Sequence, residues 1–348
     1  MKFLTRASAI ALAAAACLAV IGPAQADQNS PTGNAGIIAV DKIGAAILFI
    51  DPVSYATLKT IKTDRNPHEV AISPDHKTAY VSIYGPGVYG KNPTPGTQVL
   101  VVDLPSKTVR DVINVLPNKA PHGLMLTADG GTLYISCDMD KQLLKVDTKT
   151  LKIVDKIETE GTGHWVAITP DGSKAYTGNK YSVPYVTVLD LKTHKVIGRI
   201  PTPHGAEGIA VAPDGKHMAI AVGAEPSIML VDTATDKILQ NVPLENYPKT
   251  HADLSHLTRV RFSLDGKKLL TSYTPSGVIS VMQVSNLKKQ KQVIVPEGPM
   301  GFAFAPDGKT ALVGAQDFGS IAILDISGEG KYVRDFPAGG GVETLAYY

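Results

Sequence analysis

The chain has 348 residues, 34 lysines and arginines against 32 aspartates and glutamates, and 44% hydrophobic residues. That length can bury a sizeable core. A charge so nearly balanced, with no basic tract, excludes nucleic acid or an anionic membrane surface as an electrostatic partner.

Residues 1–26 read as a cleaved signal peptide. Lys2 and Arg6 supply the charged start, an apolar run covers 7–21, Gly22-Pro23 breaks it, and Ala24-Gln25-Ala26 is the cleavage site. The run is too short for a comfortable membrane span and no second one follows, so membrane insertion is not expected. Residues 27–348 are expected to form one domain in a bacterial periplasm. Once Cys17 is removed Cys137 is alone, so no intrachain disulfide is expected. No Gly-x-Ser-x-Gly elbow or Cys-x-x-Cys-His attachment occurs, which sets aside serine hydrolases and c-type cytochromes.

From residue 65 a repeat takes over. The stretches His68-Glu-Val-Ala-Ile-Ser-Pro-Asp75, His122-Gly-Leu-Met-Leu-Thr-Ala-Asp129, His164-Trp-Val-Ala-Ile-Thr-Pro-Asp171 and Glu207-Gly-Ile-Ala-Val-Ala-Pro-Asp214 are copies, and weaker ones end at Asp265 and Asp307. Successive aspartates lie 54, 42, 43, 51 and 42 residues apart. A period near 42 suits four short strands with turns, the unit of a β-propeller blade. Each unit reads as an apolar strand A, a Pro-Asp-Gly turn, a strand B, a Val/Leu/Ile strand C ending in aspartate, and a half-exposed strand D. No segment keeps a helical period.

Six complete units run from about residue 65 to 338. The chain opens with strands of types B, C and D only (37–40, 46–50, 58–61) and ends with a lone strand A (343–348). One C-terminal strand and three N-terminal strands complete a seventh blade and remove both open sheet edges. The expected fold is therefore an all-β, seven-bladed propeller. The motifs Thr169-Pro-Asp-Gly-Ser-Lys-Ala-Tyr-Thr-Gly-Asn179, Val186-Thr-Val-Leu-Asp190 and Ala212-Pro-Asp-Gly-Lys216 resemble the YVTN family of bacterial β-propellers (YncE-like) over the whole mature chain. The resemblance implies the fold. Its relatives range from lactonases and metal-dependent lyases to plain binding scaffolds, so it leaves the chemistry open.

The residue opening each strand A, seven before the turn aspartate, should project near the top of the central channel. Read round the ring, this position holds His68, His122, His164, Glu207, Thr258, Met300 and, from the last strand, Glu343. Imidazoles plus a carboxylate are ligands for zinc, manganese or copper, so His68, His122, His164 and Glu207 are the expected set for one divalent metal. The alternative is that these histidines bond neighbouring blades around a watery channel. Glu343 and His256 are candidate general bases and Lys180 a candidate oxyanion stabiliser for lactone hydrolysis or lyase chemistry on a small organic substrate. A non-catalytic reading competes: a propeller that captures a metal, cofactor or ligand, or docks a periplasmic protein.

The ends of the B strands add Asp138, Asn179, Tyr273 and Gln316 as polar candidates. Two long top connections, 84–96 and 245–257 (the latter with His251, Asp253 and His256), are candidate substrate loops. His204 lies just before Glu207 and is a further candidate. Cys137 is expected to be a buried small side chain and Trp165 to serve packing between blades.

Overall fold

The structure is a computed structural model that describes residues 35–87, 91–179, 183–203, 205–223, 226–244 and 257–348. These form seven antiparallel sheets of four strands each, and the only helical element among them is a short 3-10 turn at Thr274–Ser276. In chain order the blades span 67–114, 121–158, 163–201, 209–243, 257–294 and 299–337 (blades 1 to 6). Blade 7 joins Val342–Tyr347 to Ile37–Asp41, Ala46–Ile50 and Thr57–Lys62. The seven-bladed all-β architecture and its closure are those expected from the repeat.

The local structure follows from sequence period. Strands B and C are apolar on both sides because each blade is covered by a neighbour on both faces. The outer strands alternate, as in Lys195–Pro201, because only one of their faces is covered. The core is accordingly divided among the blade interfaces, with one apolar cluster between each adjacent pair. At the seam, Ile38, Ile47 and Phe49 of blade 7 pack on Val70, Ala79 and Val81 of blade 1.

The repeating aspartates are turn devices. In the A–B turns the Asp75 carboxylate accepts from Ser73 Oγ at 2.6 Å and from the Lys77 N–H at 3.1 Å. Asp171 does the same with Thr169 and Ser173. The aspartates ending the C strands accept the N–H three residues on, as Asp147 does from Thr150 at 2.7 Å. The basic stretch from Lys288 to Lys291 lies within the outer strand Asn286–Ile294.

Ring closure rests on the pairing of Ile37–Asp41 with Val342–Tyr347, from Ile37 opposite Tyr347 to Asp41 opposite Val342. Asp41 locks that seam. Its carboxylate accepts the N–H groups of Gly44, Gly340 and Gly341 at 2.7, 2.9 and 2.8 Å. A side chain at Gly339 would have its Cβ 2.2 Å from that carboxylate, so the loop must pass without one there.

Deleting residues 343–348 removes the inner strand of blade 7 and strips Leu345 and Tyr347 from one interface and Ala346 and Tyr348 from the next. We expect the truncated protein to lose its cooperative thermal transition. An unchanged midpoint by circular dichroism would contradict the closure.

Candidate functional site

The channel residues owe their direction to a β-bulge that recurs at the start of the inner strands. In blade 1, Pro67 pairs with Ile83 and Val70 with Val81, so His68 and Glu69 together stand opposite one residue, Ser82. Blade 2 places His122 and Gly123 opposite Ser136 in the same way. His164 is the extra residue in blade 3, and Glu343 is skipped between Thr344 and Val342 in blade 7. In blade 4 the N–H of Glu207 reaches the Ala221 carbonyl while the Ala221 N–H returns to Gly208, again two residues against one. A bulge breaks the two-residue alternation and re-aims side chains. The freed N–H groups are not left bare: Ser82 Oγ accepts from Glu69 at 3.0 Å and Ser136 Oγ from Gly123 at 2.9 Å.

The three histidines form a row. The His68 and His122 ring centroids are 4.3 Å apart, and the His122 and His164 rings stack at 3.7 Å with 30° between their planes. Tyr84 and Trp165 meet His122 edge-on at 5.7 and 5.3 Å. Gly123 permits this approach, since a Cβ there would lie 2.8 Å from Ser136 Oγ and 3.0 Å from the Val166 nitrogen.

Each imidazole has its Nδ1 held by an acceptor outside the row. His68 Nδ1 lies 3.0 Å from Glu69 Oε1, His122 Nδ1 2.9 Å from the His164 carbonyl, and His164 Nδ1 2.9 and 3.0 Å from the two oxygens of Asp138. A carbonyl or carboxylate oxygen only accepts, so Nδ1 carries a proton in all three. Asp138 is itself fixed by Tyr84, whose hydroxyl donates to Oδ2 at 2.8 Å. On the Nε2 side, Glu207 Oε1 stands 3.6 Å from His164, and Glu343 Oε1 stands 3.7 Å from His68. All the ring-position candidates from His68 to Glu207, and Glu343, are thus brought to one end of the channel.

Beside the row lies a network of charges. One terminal nitrogen of Arg259 in blade 5 donates to Glu69 Oε1 at 2.7 Å and to Glu343 Oε1 at 2.6 Å. Its guanidinium carbon sits 4.2 Å from the centre of the Trp165 ring, so Trp165 does more than pack blades. Lys42 Nζ is 3.0 Å from His68 Nε2 and 3.4 Å from Glu343 Oε2, and Gln316 Nε2 donates to the same carboxylate.

Burial sets the protonation. It drives the His68 pKa well below its ordinary value, and the nearby cations of Lys42 and Arg259 push the same way. Burial also raises Glu69 to about 7 against the pull of Arg259. Glu343 feels the same burial, but Lys42, Arg259 and the Gln316 bond outweigh it and hold the carboxyl below its usual range. Two carboxylates sharing one guanidinium nitrogen therefore differ because Glu343 also has Lys42 within 3.4 Å and the Gln316 amide as a donor.

The site is drier than the watery channel of the alternative reading. His122 is 0% exposed, and His68, His164, Glu207, Glu69, Asp138 and Glu343 are all buried. His122 is enclosed by four aromatic rings.

Among the described residues, two groups present ligand atoms within 4.8 Å of one another: His68, Glu69 and His122, and His122, Asp138 and His164. Either group can hold a metal ion. The pairing differs from the expected set, since Glu69 and Asp138 stand where a single carboxylate from Glu207 was foreseen, and Glu207 belongs to neither group.

Several functional neighbours escape the repeat argument. Glu69 and Arg259 sit one residue past the ring position, where simple alternation points a side chain away, although a charge inside an apolar strand is a readable signal. Lys42 comes from a B–C loop with no motif. Tyr84 was marked only as the start of a long loop. That loop contains Gly85-Pro-Gly87-Val-Tyr-Gly90, which has the spacing of a dinucleotide-binding motif. It leads toward the strand Gln98–Asp103 and not into a helix, so it lacks the helix N-terminus that binds phosphate.

Asn179 points its amide at the Tyr185 carbonyl and Thr187, a structural role. Cys137 is buried in an apolar cluster, and burial pushes its thiol pKa well up, as befits an inert small side chain. Lys180, His204, His251, Asp253 and His256 lie outside the described residues.

No family model matches this chain, and no curated protein matches it. Among solved structures it is similar to a chain of the Kuenenia stuttgartiensis hydrazine synthase, at 19% identity and a TM-score of 0.68, covering 84% of this chain and 92% of that one. At that identity the likeness is one of fold.

Truncating His122 leaves a cavity between two stacked rings, so His122→Ala should cost about 2–4 kcal/mol in denaturant unfolding. A cost near zero would mean that the row is not packed as described. A second outcome concerns pH. His68 titrates lower in the folded than in the unfolded chain, so its contribution is present above pH 6.5 and lost on acidification. Glu69 titrates higher when folded, so its contribution is present below pH 4.5 and lost as pH rises through about 7. Glu69→Gln removes the second and leaves the first. Its thermal midpoint should therefore fall more steeply than that of the wild type from about pH 7 to 5, and parallel curves would contradict the assignment.

Proposed function

We propose that this protein is an exported β-propeller of the YVTN type whose channel mouth binds one divalent metal ion, zinc, manganese or copper. The ion is held by the imidazoles of His122 and His164, in the group that Asp138 completes. The observation that carries this reading is the fixed tautomer. An imidazole that ligates a metal through one nitrogen typically donates from the other to a carboxylate or carbonyl, and His122 and His164 both do so. Asp138 then orients His164, and Tyr84 orients Asp138.

Charge favours this end of the row. The His68 end already holds Lys42 and Arg259, whose cations oppose a dication. At His164 the Asp138 and Glu207 carboxylates stand 2.9 and 3.6 Å from its two nitrogens. The buried setting fits a binding or accessory role in the periplasm, with a small organic ligand or a protein partner, better than rapid turnover.

A second reading, metal-assisted lactone hydrolysis or lyase chemistry, draws on the Asp138–His164 pair, in which a carboxylate steadies a neutral imidazole as a base does in acid–base catalysis. Glu343 suits the base role poorly, because Lys42, Arg259 and Gln316 already occupy its oxygens.

Purified wild-type protein dialysed against zinc should retain about one ion per chain by elemental analysis. His122→Gln, which keeps much of the packing volume, should lose affinity by about tenfold or more. Equal zinc in the wild type and the variant, both folded, would contradict the site. Export is checked separately: protein from a periplasmic extract should begin at Asp27 by mass spectrometry, and a lipid adduct on Cys17 would overturn it.

A further inference from the structure

One edge of Arg259 is only half used. Glu69 Oε1 and Glu343 Oε1 both accept from the same terminal nitrogen, Nη2, at 2.7 and 2.6 Å. The Nε–H has no acceptor among the described residues, although the side chain is only 5% exposed. Arg199 shows what that edge does when a carboxylate takes it whole: its Nε and Nη2 donate to the two oxygens of Glu160, both at 2.8 Å. The indole N–H of Trp165, a residue 6% exposed, has no acceptor either. It belongs to the ring on which the Arg259 guanidinium lies, 4.2 Å from carbon to ring centre. The guanidinium carbon of Arg261 stands 5.7 Å from the same ring. Two buried donors at one contact, one of them on a cation, are each costly to leave without an acceptor.

We infer that the Arg259–Trp165 contact is a binding position for a small carboxylate, whose oxygens accept from Arg259 Nε–H and from the Trp165 indole N–H. This goes beyond the metal reading and needs no metal. Both orphan groups only donate, so the missing partner is an acceptor. The cation that carries one of them, with Arg261 at the same ring, makes that acceptor an anion. A planar group with two oxygens matches the side-on edge of a guanidinium better than a tetrahedral one does. The two carboxylates already present do not compete for it. Both spend their contact on Nη2, Glu343 is held besides by Lys42 and Gln316, and Glu69 by His68. Because Arg259 and Trp165 are both more than nine-tenths buried, the position takes a group the size of formate or acetate.

The chain has one tryptophan, so nitrogen-15-labelled protein gives a single indole N–H cross-peak. The experiment titrates metal-free protein with sodium formate, sodium acetate, sodium nitrate and sodium sulfate at one pH and one ionic strength. Formate and acetate should move the peak saturably, and sulfate should not. Arg259→Lys keeps a cation between Glu69 and Glu343 but has no Nε, and it should weaken formate binding about tenfold or more. Should that variant fail to fold, Trp165→Phe keeps a ring without the N–H, and calorimetry should find formate weakened about fivefold. A peak that neither carboxylate moves overturns the inference, and so does unchanged formate affinity in either folded variant. Saturation by nitrate or sulfate where formate has no effect assigns the position to an inorganic anion and overturns the carboxylate. None of these outcomes depends on whether His122 and His164 hold an ion.

Discussion

The mouth of this propeller is organised by one guanidinium. Arg259 starts in blade 5, lies on the Trp165 ring of blade 3 and donates to Glu69 of blade 1 and Glu343 of blade 7. Four blades that share few neighbours in the ring are thus joined through a single side chain. Burying a cation between two carboxylates is costly, and it holds only where every group finds its partners. Lys42 and Gln316 supply the remainder on Glu343, and His68 completes Glu69. Removing Arg259 alone would leave two buried carboxylates facing each other, a far greater penalty than the pair's net worth.

That constraint explains the asymmetry of the site. Three adjacent blades contribute histidines at one register position, yet their surroundings differ. His68 is drawn into the charge network by Lys42, His122 is a packed aromatic element, and His164 lies between the carboxylates of Asp138 and Glu207. A repeat fold supplies equivalent positions, and the loops and the residue after each position make them inequivalent.

Much of the fold can be read from the sequence because the blades repeat variations of one pattern: an apolar strand, a turn of Pro-Asp-Gly type, and in most of them an aspartate that caps the next turn. The offset from Asp75, Asp129, Asp171 and Asp214 finds His68, His122, His164 and Glu207 because the bulge recurs at the same place. The partners are less legible. Glu69 and Arg259 follow the ring position and would face away from the channel in a regular strand. The bulge that turns both residues inward leaves no mark in composition. Lys42 and Tyr84 reach the site only because the seam loop and a lengthened loop pass over blade 1, which a linear pattern does not encode. The burial of His122 likewise arises from neighbours in three blades.

The account turns on which nitrogen of each histidine carries the proton. Nitrogen-15 imidazole spectra of histidine-labelled protein read this directly, with the row residues assigned among the nine histidines by single substitution. Metal-free protein should show His68, His122 and His164 as neutral rings protonated at Nδ1, and one equivalent of zinc should shift Nε2 of His122 and His164 while leaving His68 in place. Rings protonated at Nε2, or zinc that moves none of these resonances, would contradict the site.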